Sequence, residues 1–332
     1  MRTRFLILIA LFFVAFICDI AFGSVNLTMN DIWSSLTGHG SDNLYREIIV
    51  NYRLPKALTA IFTGMALSVA GVLMQTLFRN PLAGPDVLGV TSGASLGVAL
   101  LTLEASSLPW FVIAGWGQVT AAVLGAVGVL LLVIIVSVKV PQTISLLIIG
   151  MMFGNFAGAI VSILQSTSNP DTLKLFISWT FGSLSSVSWS YMGIMAPIVV
   201  VGTGLAFILQ KRLNVLLLGE KYAAGLGISV PQTRLLIILA TALLAGTSTA
   251  FTGPIAFIGV TVPHIARGIF HTSDHQKIIP ASILCGSIIM LICDLISQMP
   301  GSQGTLPINS VTALFGAPII IWIIAKNGGM GK

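Results

Sequence analysis

The sequence predicts an all-α polytopic membrane protein with about ten transmembrane helices and both termini in the cytoplasm. Of its 332 residues, 55% are hydrophobic and only 8% are charged, and the mean hydropathy is +0.99. So few charges cannot cover a water-exposed surface, which excludes a soluble globular protein. The net charge of +6 therefore reports which loops face the cytoplasm, and no nucleic-acid partner is expected.

Nine long stretches without a charged residue mark where the spans lie: 5–18, 57–78, 87–103, 105–138, 140–170, 175–210, 235–266, 278–293 and 295–325. A charge is costly at the centre of a bilayer and a spanning helix needs about 20 apolar residues, so spans must lie between charges. The stretch 235–266 contains Gly253-Pro254, which breaks a helix. We therefore expect two short or interrupted segments there and ten spans in all. A short extra helix is expected near 171–184.

The basic residues give the orientation, because cytoplasmic loops carry the excess of Lys and Arg. With both termini inside, four basic residues lie outside: Arg46, Arg53, Lys56 and Lys174. The other twelve lie in the cytoplasm: Arg2, Arg4, Arg79, Lys139, Lys211, Arg212, Lys221, Arg234, Arg267, Lys277, Lys326 and Lys332. This threefold bias agrees with the positive-inside rule.

The amino terminus has two interpretations. Arg2 and Arg4 precede an apolar run and small residues follow it, which is also the pattern of a cleaved signal peptide. Asp19 interrupts that pattern just before the cleavage position, and ten spans with both ends inside need this helix. We interpret it as the first span, with the signal peptide as the alternative.

The cysteines and histidines do not predict a metal site. Cys18, Cys285 and Cys293 lie in apolar runs without ligand spacing, which is typical of buried packing residues. His271 and His275 would share one face of a helix, and with His264 they could form a metal or haem site. The polar residues between them favour a solvated loop, so no metal is expected.

Two stretches rich in glycine and proline stand out. Residues 75–94 read QTLFRNPLAGPDVLGVTSGA, and residues 253–267 read GPIAFIGVTVPHIAR. Each would stop a helix, turn the chain and allow close backbone packing. Gly84-Pro85 through Thr91 resembles Gly253-Pro254 through Thr261, which predicts an internal repeat, inverted as in many transporters.

Six segments follow one another in the chain: RLPK (53–56), residues 75–94, WTFGSL (179–184), LNVL with LG (213–219), residues 253–267, and PINSVTALFGAP (307–318). Together these ordered segments resemble the FecCD family, the permease subunits of type II ABC importers for iron-siderophores, haem or cobalamin. The positions matching the family's motifs, with an expected structural role, are Gln75, Arg79, Asn80, Pro81, Gly89, Gly93, Gly253, Pro254, Pro263, His264 and Arg267.

The resemblance implies a single transmembrane permease domain over residues 1–332, in the inner (cytoplasmic) membrane. It implies a homodimer in contact with lipid, with two ATPase subunits beneath it and an extracytoplasmic substrate-binding protein above it. The sequence has no G-x-x-x-x-G-K-[ST] phosphate loop. We therefore expect a transporter subunit that is not an enzyme and has no cofactor of its own, with ATP and Mg bound by the partner ATPase.

Residues 211–234 form the longest cytoplasmic connection and match the family's coupling loop. Glycines divide it into short helical pieces, and the resemblance assigns ATPase coupling to Leu213, Gly219, Glu220, Lys221, Tyr222, Ala223, Ala224 and Gly225. A rigid short helix seated in the ATPase could convert closure of the nucleotide sites into movement of the spans. An ordinary solvated loop is the alternative.

On the outer face, Arg53 and Lys56 match two basic positions at which the family's binding protein docks. A third position, after the aspartate that matches Asp294, is Gln298 in this chain. Lys56 replaces a bidentate arginine with a point charge, so the partner's carboxylates would be placed differently. Arg46 could substitute for the missing charge. The alternative is that Arg53 and Lys56 anchor a helix end at the lipid interface.

The fifth and last spans are expected to line the translocation path. Gly150, Gly154 and Gly158 recur every four residues, which permits close helix packing in lipid. The resemblance adds candidate lining residues on these spans: Asn155, Ser162, Asn309, Ser310 and Thr312. A path for a large chelate should be weakly polar, because strong ligands would trap the cargo.

Two other functional classes compete with an importer. A secondary transporter would also have interrupted helices and repeats, but it needs an ionisable group near the midplane, and Asp19 and Asp294 are expected near the outer end. A membrane enzyme needs a cluster of His, Asp, Glu or Cys in one plane, and the sequence offers none. The secondary transporter remains the alternative.

Overall fold

A computed structural model describes residues 1–23, 43–104, 115–140, 142–298 and 305–328. Within these ranges the regular secondary structure is helical. The α-helices are α1 (Arg2–Ala21), α2 (Asn43–Glu47), α3 (Leu54–Leu77), α4 (Val90–Ala99), α5 (Trp116–Lys139), α6 (Thr143–Thr167), α7 (Pro170–Thr180), α8 (Trp189–Leu216), α9 (Glu220–Gly225), α10 (Val230–Thr241), α11 (Thr247–Thr252), α12 (Ile258–Phe270), α13 (His275–Ser297) and α14 (Ile308–Gly328).

Seven of the described helical segments are long and apolar enough to cross a membrane. They are Arg2–Ala21, Leu44–Leu77, Trp116–Ser137, Thr143–Thr167, Trp189–Leu216, Val230–Thr252 and His275–Ser297. Three shorter apolar helices accompany them: Val90–Glu104, Ile258–Phe270 and Ile308–Trp322. An all-helical, multi-pass protein is thereby confirmed, and the count of ten spans and the cytoplasmic termini stay predictions.

Wide turns of π-helix join some of these segments without a break in direction. Ile48–Arg53 connects α2 to α3, Leu100–Glu104 extends α4, and Ala242–Gly246 connects α10 to α11. A π-turn inserts a residue into the helical repeat and rotates the following face of the helix.

The interruption predicted in the stretch 235–266 is confirmed. Helix α11 ends at Thr252, the chain turns through Gly253 with φ of 73°, and α12 begins at Ile258. A Cβ atom at Gly253 would lie 2.5 Å from the carbonyl oxygen of Trp179, so both the backbone angle and the space require glycine. The predicted short extra helix is also present, as α7.

The turn within 75–94 also depends on glycines, for its backbone angle and for close packing. Helix α3 ends at Leu77, a short 3₁₀ helix covers Pro85–Leu88, and Gly89 with φ of 73° starts α4. Gly93 of α4 then packs on α5, where an added Cβ would lie 2.6 Å from the carbonyl oxygen of Gly125. Backbones this close require residues without side chains.

Helix α3 lies at the centre of the bundle. Most of its residues are buried, and it packs against α8, α12 and α13. A Cβ at Gly64 would lie 2.2 Å from the carbonyl oxygen of Gly286, and one at Gly71 would lie 1.7 Å from that of Gly259. Glycines therefore set the distance of α3 from α12 and α13.

Replacing Gly71 with alanine should destabilise the protein, because the new methyl group would overlap the backbone of Gly259. Overpacking of this kind costs about 1–3 kcal/mol, and a backbone neighbour cannot yield as a side chain can. The matched control is Gly128→Ala in α5, where an added Cβ meets nothing within 4 Å. The melting temperature in detergent should fall for Gly71→Ala and stay unchanged for Gly128→Ala. Equal melting temperatures of the two variants would contradict this account of the packing.

Candidate functional site

The predicted coupling segment folds as a separate short helix. Helix α9 lies between α8 and α10, and glycines with positive φ flank it, Gly219 at 113° and Gly227 at 81°. Ala223 is completely buried, whereas Tyr222 is 72% exposed. One face of the helix therefore packs on the protein, and the other face is exposed.

The other coupling residues divide between these two faces. Leu213, at the end of α8, is completely buried and Gly219 is buried as well. Lys221, Ala224 and Gly225 are exposed beside Tyr222. A partner could therefore contact α9 along Lys221, Tyr222, Ala224 and Gly225.

One carboxylate joins α9 to two other helices. The Oε1 atom of Glu220 accepts a hydrogen bond from the Thr143 hydroxyl at 2.6 Å and one from Arg234 Nη2 at 3.0 Å. Thr143 is the first residue of α6 and Arg234 belongs to α10. An open cavity of about 790 Å³ lies beside this contact, lined by residues of α3, α6 and α9.

A polar network joins the carboxyl-terminal end of α3 to α12. Arg267 donates to the Gln75 side-chain oxygen, and Gln75 Nε2 donates to the carbonyl of Val260 at 3.1 Å. His264 Nε2 lies 2.8 Å from the carbonyl oxygen of Pro81. Four motif positions are thus brought together: Gln75, Pro81, His264 and Arg267.

The remaining motif positions shape the turns. Pro263 is buried inside α12, and Pro254 follows Gly253 in the break before it. Arg79 takes a positive φ of 47° directly after α3, and Asn80 Oδ1 accepts from the backbone N–H of Leu82 at 2.9 Å. Arg79 and Asn80 thus lie where α3 stops, and Pro254 lies where α11 stops.

The histidines lie in separate environments. His275 Nε2 is 2.8 Å from the Thr76 hydroxyl, and its Nδ1 is 2.7 Å from Asn214 Oδ1. His271 is 3.2 Å from Arg4 instead. The Asn214 amide also donates to Asp274 at 2.8 Å, and this bond holds the pKa of the Asp274 carboxyl below its usual range. Among the described residues, no three metal-ligating side chains converge.

The structure places Arg53 and Lys56 inside the bundle, where we expected them at the outer surface. Arg53 is 6% exposed and donates to the carbonyls of Ile20 and Ala21 at 2.7 and 2.8 Å. Lys56 Nζ lies 2.7 Å from Asp294 Oδ2. The exposure on which the docking prediction relied is therefore absent from this structure, and so is the exposure that a lipid anchor needs. Docking itself stays a prediction.

Gln298 contacts the same carboxylate as Lys56. Its Nε2 donates to Asp294 Oδ2 at 2.8 Å, so the position where the family pattern has a cation supports the carboxylate that pairs with Lys56. Asp19 is also buried in this region. Two cations and two carboxylates are thus shared by α1, α13 and the start of α3.

Exposure separates the candidate path residues into two groups. Asn155 and Ser162 on α6 and Ser310 on α14 are exposed, as a lining role requires. Thr312 is 1% exposed and donates to the carbonyl of Asn309, so its side chain is buried within this chain. The Asn309 side chain is turned to the break before α12, where it accepts from the Ala256 N–H at 3.0 Å.

The glycines of α6 pack on the turn before α4. A Cβ at Gly150 would lie 2.4 Å from the carbonyl oxygen of Val87, and one at Gly154 would lie 3.3 Å from Ser92 Oγ. Gly158 has nothing within 4 Å. The small-residue packing is thus confined to the amino-terminal half of α6.

Comparison with known proteins decides the family. The model of the FecCD transport family matches residues 9–326. The chain belongs to the FecCD transport family. The vitamin B12 import system permease of Vibrio cholerae is 36% identical, over 98% of this chain and 94% of the relative. The hemin transport system permease of Yersinia pestis is 32% identical, over 92% and 90%.

A solved structure agrees with this membership in the FecCD family. It is described as an inward-facing conformation of a transporter assigned to the metal-chelate ABC type. The TM-score is 0.86 at 29% identity, and the match covers 98% of this chain and 99% of the other. The similarity therefore extends over the whole FecCD fold.

Replacing Lys56 alone should destabilise this FecCD chain more than replacing both Lys56 and its partner Asp294. Lys56→Met leaves Asp294 buried without its cation, which costs about 3–5 kcal/mol, whereas an apolar replacement of both partners is often neutral. Lys56→Met should therefore melt well below the native protein, and Lys56→Met with Asp294→Leu should recover most of the loss. Lys174→Met, at an exposed position, is the control. A double variant less stable than the single one would contradict the pairing.

Proposed function

We propose that this chain is the membrane-spanning permease subunit of an ATP-driven importer that carries a metal chelate through the inner membrane. The observation that carries the proposal is α9, a short helix held between two glycines with one face buried and the other open. Its place between two long spans suits a lever that receives work from another polypeptide. The chain itself has no phosphate-binding loop.

The proposed assembly contains two copies of this chain, two ATPase subunits and an extracytoplasmic binding protein. The exposed apolar faces of α6 and α14 support a second copy, because both remain uncovered in the isolated chain. On α6 these residues include Ile144, Phe156 and Ile163, and on α14 they include Leu314 and Ile321. The translocation path would then run between the copies, past Asn155, Ser162 and Ser310.

The cargo is proposed to be an iron-siderophore, haem or cobalamin. The relatives named for hemin and for vitamin B12 support a large metal chelate. The exposed polar side chains on α6 and α14 are uncharged amides and hydroxyls, which bind such a cargo weakly. A path of this kind lets the chelate leave, and the choice of chelate belongs to the binding protein.

A secondary transporter is the second candidate, because the structure buries ionisable groups inside spanning helices. Asp19, Arg53, Lys56 and Asp294 form such a group, and intramembrane charges often couple transport to ions. Lys56 and Asp294 neutralise each other at 2.7 Å, however, and Arg53 is bound to the end of α1. These contacts suit a structural role.

Reconstitution distinguishes the two candidates. The chain is co-expressed with its cognate ATPase, purified, and placed in liposomes with the binding protein and one labelled chelate at a time. We expect uptake that requires ATP on the ATPase side, and none with an ATPase variant that lacks its phosphate-loop lysine. Uptake driven by a proton gradient alone, without the ATPase, would contradict the proposal.

Breaking α9 should uncouple the importer. Ala223→Pro removes the N–H that donates to the carbonyl of Gly219 at 2.9 Å and disturbs the buried face of the helix. We expect normal membrane insertion and continued ATP hydrolysis, with uptake reduced at least about tenfold, a coupling loss within the usual range of 1–3 kcal/mol. Ala223→Ser, which keeps this N–H and nearly the same side-chain size, is the control. Native uptake by Ala223→Pro would remove α9 from the mechanism.

A further inference from the structure

Glu220 is the point at which three parts of the chain meet. Its carboxylate accepts from Thr143 Oγ1 at 2.6 Å and from Arg234 Nη2 at 3.0 Å, and Arg234 Nη2 also lies 3.2 Å from the Thr143 oxygen. Each pair in this triangle is within hydrogen-bonding distance. We call Thr143, Glu220 and Arg234 the Glu220 clamp.

Arg234 also links the clamp to the connection between α5 and α6. Its Nη1 atom donates to the carbonyl oxygen of Val140 at 3.2 Å, just beyond the end of α5. The Arg234 side chain is 8% exposed and that of Glu220 is 36% exposed, so the ion pair is partly shielded from water. Shielding strengthens a charged hydrogen bond relative to one at the surface.

Both connections of α9 contain a glycine, the residue that restricts the backbone least. Gly219 and Gly227 flank the helix, and an added Cβ at Gly227 would meet nothing within 4 Å. Among the described residues, α9 forms its side-chain hydrogen bonds to other helices through Glu220. Force applied to α9 would be absorbed at the glycines unless a side chain carried it across.

We propose that Glu220 is the positioning residue that makes α9 and the cytoplasmic end of α6 move as one body. The inference rests on the proposed function, in which the ATPase moves α9 and α6 lines the path. Thr143 begins α6, so any displacement of Glu220 is transmitted directly to the first turn of that helix. Arg234 holds α10 to the same point and prevents the clamp from rotating.

The first test separates coupling from assembly. Thr143→Val removes the hydroxyl and keeps the shape of the side chain, and Glu220→Ala removes the carboxylate. In liposomes with the ATPase and binding protein, each should lower chelate uptake per ATP hydrolysed about tenfold without reducing co-purification of the ATPase. Glu220→Gln, which keeps an acceptor oxygen, should fall between Glu220→Ala and the native chain. Because both residues belong to one contact, the double variant should be no worse than Glu220→Ala.

Asp171→Ala is the matched control, since it removes an exposed carboxylate from the first turn of another short helix, α7. It should leave the ratio of uptake to hydrolysis unchanged. An unchanged ratio in Thr143→Val and Glu220→Ala, or an equal loss in Asp171→Ala, would overturn the clamp.

The second test does not depend on the proposed function. Cysteines are placed at Thr143 and Glu220 in a chain whose Cys18, Cys285 and Cys293 are replaced by serine, and a short bifunctional thiol reagent is added to membranes. We expect efficient crosslinking, and much less for the pair Thr143→Cys with Gly225→Cys at the far end of α9. Absence of the first crosslink would overturn the clamp whatever the chain transports.

The crosslinked protein gives the sharpest outcome. If α9 and the start of α6 move as one body, fixing them together should preserve ATP-driven uptake. Loss of uptake on crosslinking, with recovery on cleavage of the reagent, would mean that the two must separate, and would contradict the inference. If the native complex takes up no chelate with ATP, the proposed function fails while the crosslink still reports on the clamp.

Discussion

Close contact between helix backbones is the constraint on which this structure depends. Lipid offers helices no hydrophobic reason to associate, so they are held by packing and hydrogen bonds, and small residues let the backbones approach. Helix α3 uses Gly64 against Gly286 and Gly71 against Gly259, at distances where no Cβ would fit. These contacts fix α3, α12 and α13 relative to each other.

Buried charges join the amino-terminal end of α3 to the same bundle. Lys56 and Asp294 form an ion pair between α3 and α13, while Arg53 satisfies the last carbonyls of α1. Such groups are costly in a membrane unless they are paired, so each one restricts how the helices can be arranged. The cluster therefore fixes α1 to the core, at the opposite end of α3 from the Gln75 network.

Much of the fold could be predicted from spacing, because charges and helix breakers act locally. Stretches without charge located the long apolar helices, Gly253-Pro254 located the break before α12, and glycines delimited α9. The inward direction of Lys56 could not be predicted, because its partner Asp294 lies on a distant helix. The same holds for Thr143 and for Asn309, whose contacts depend on how helices pack and leave no local pattern.

The central claim is that work reaches the path by way of α9 and the first turn of α6. A spin label at Ile144, which is 73% exposed beside Thr143, would report the distance between the two copies in the assembled importer. The account predicts that nucleotide binding by the ATPase shifts this distance when Glu220 is present and leaves it unchanged in a Glu220→Ala chain. The same shift in both proteins would contradict it.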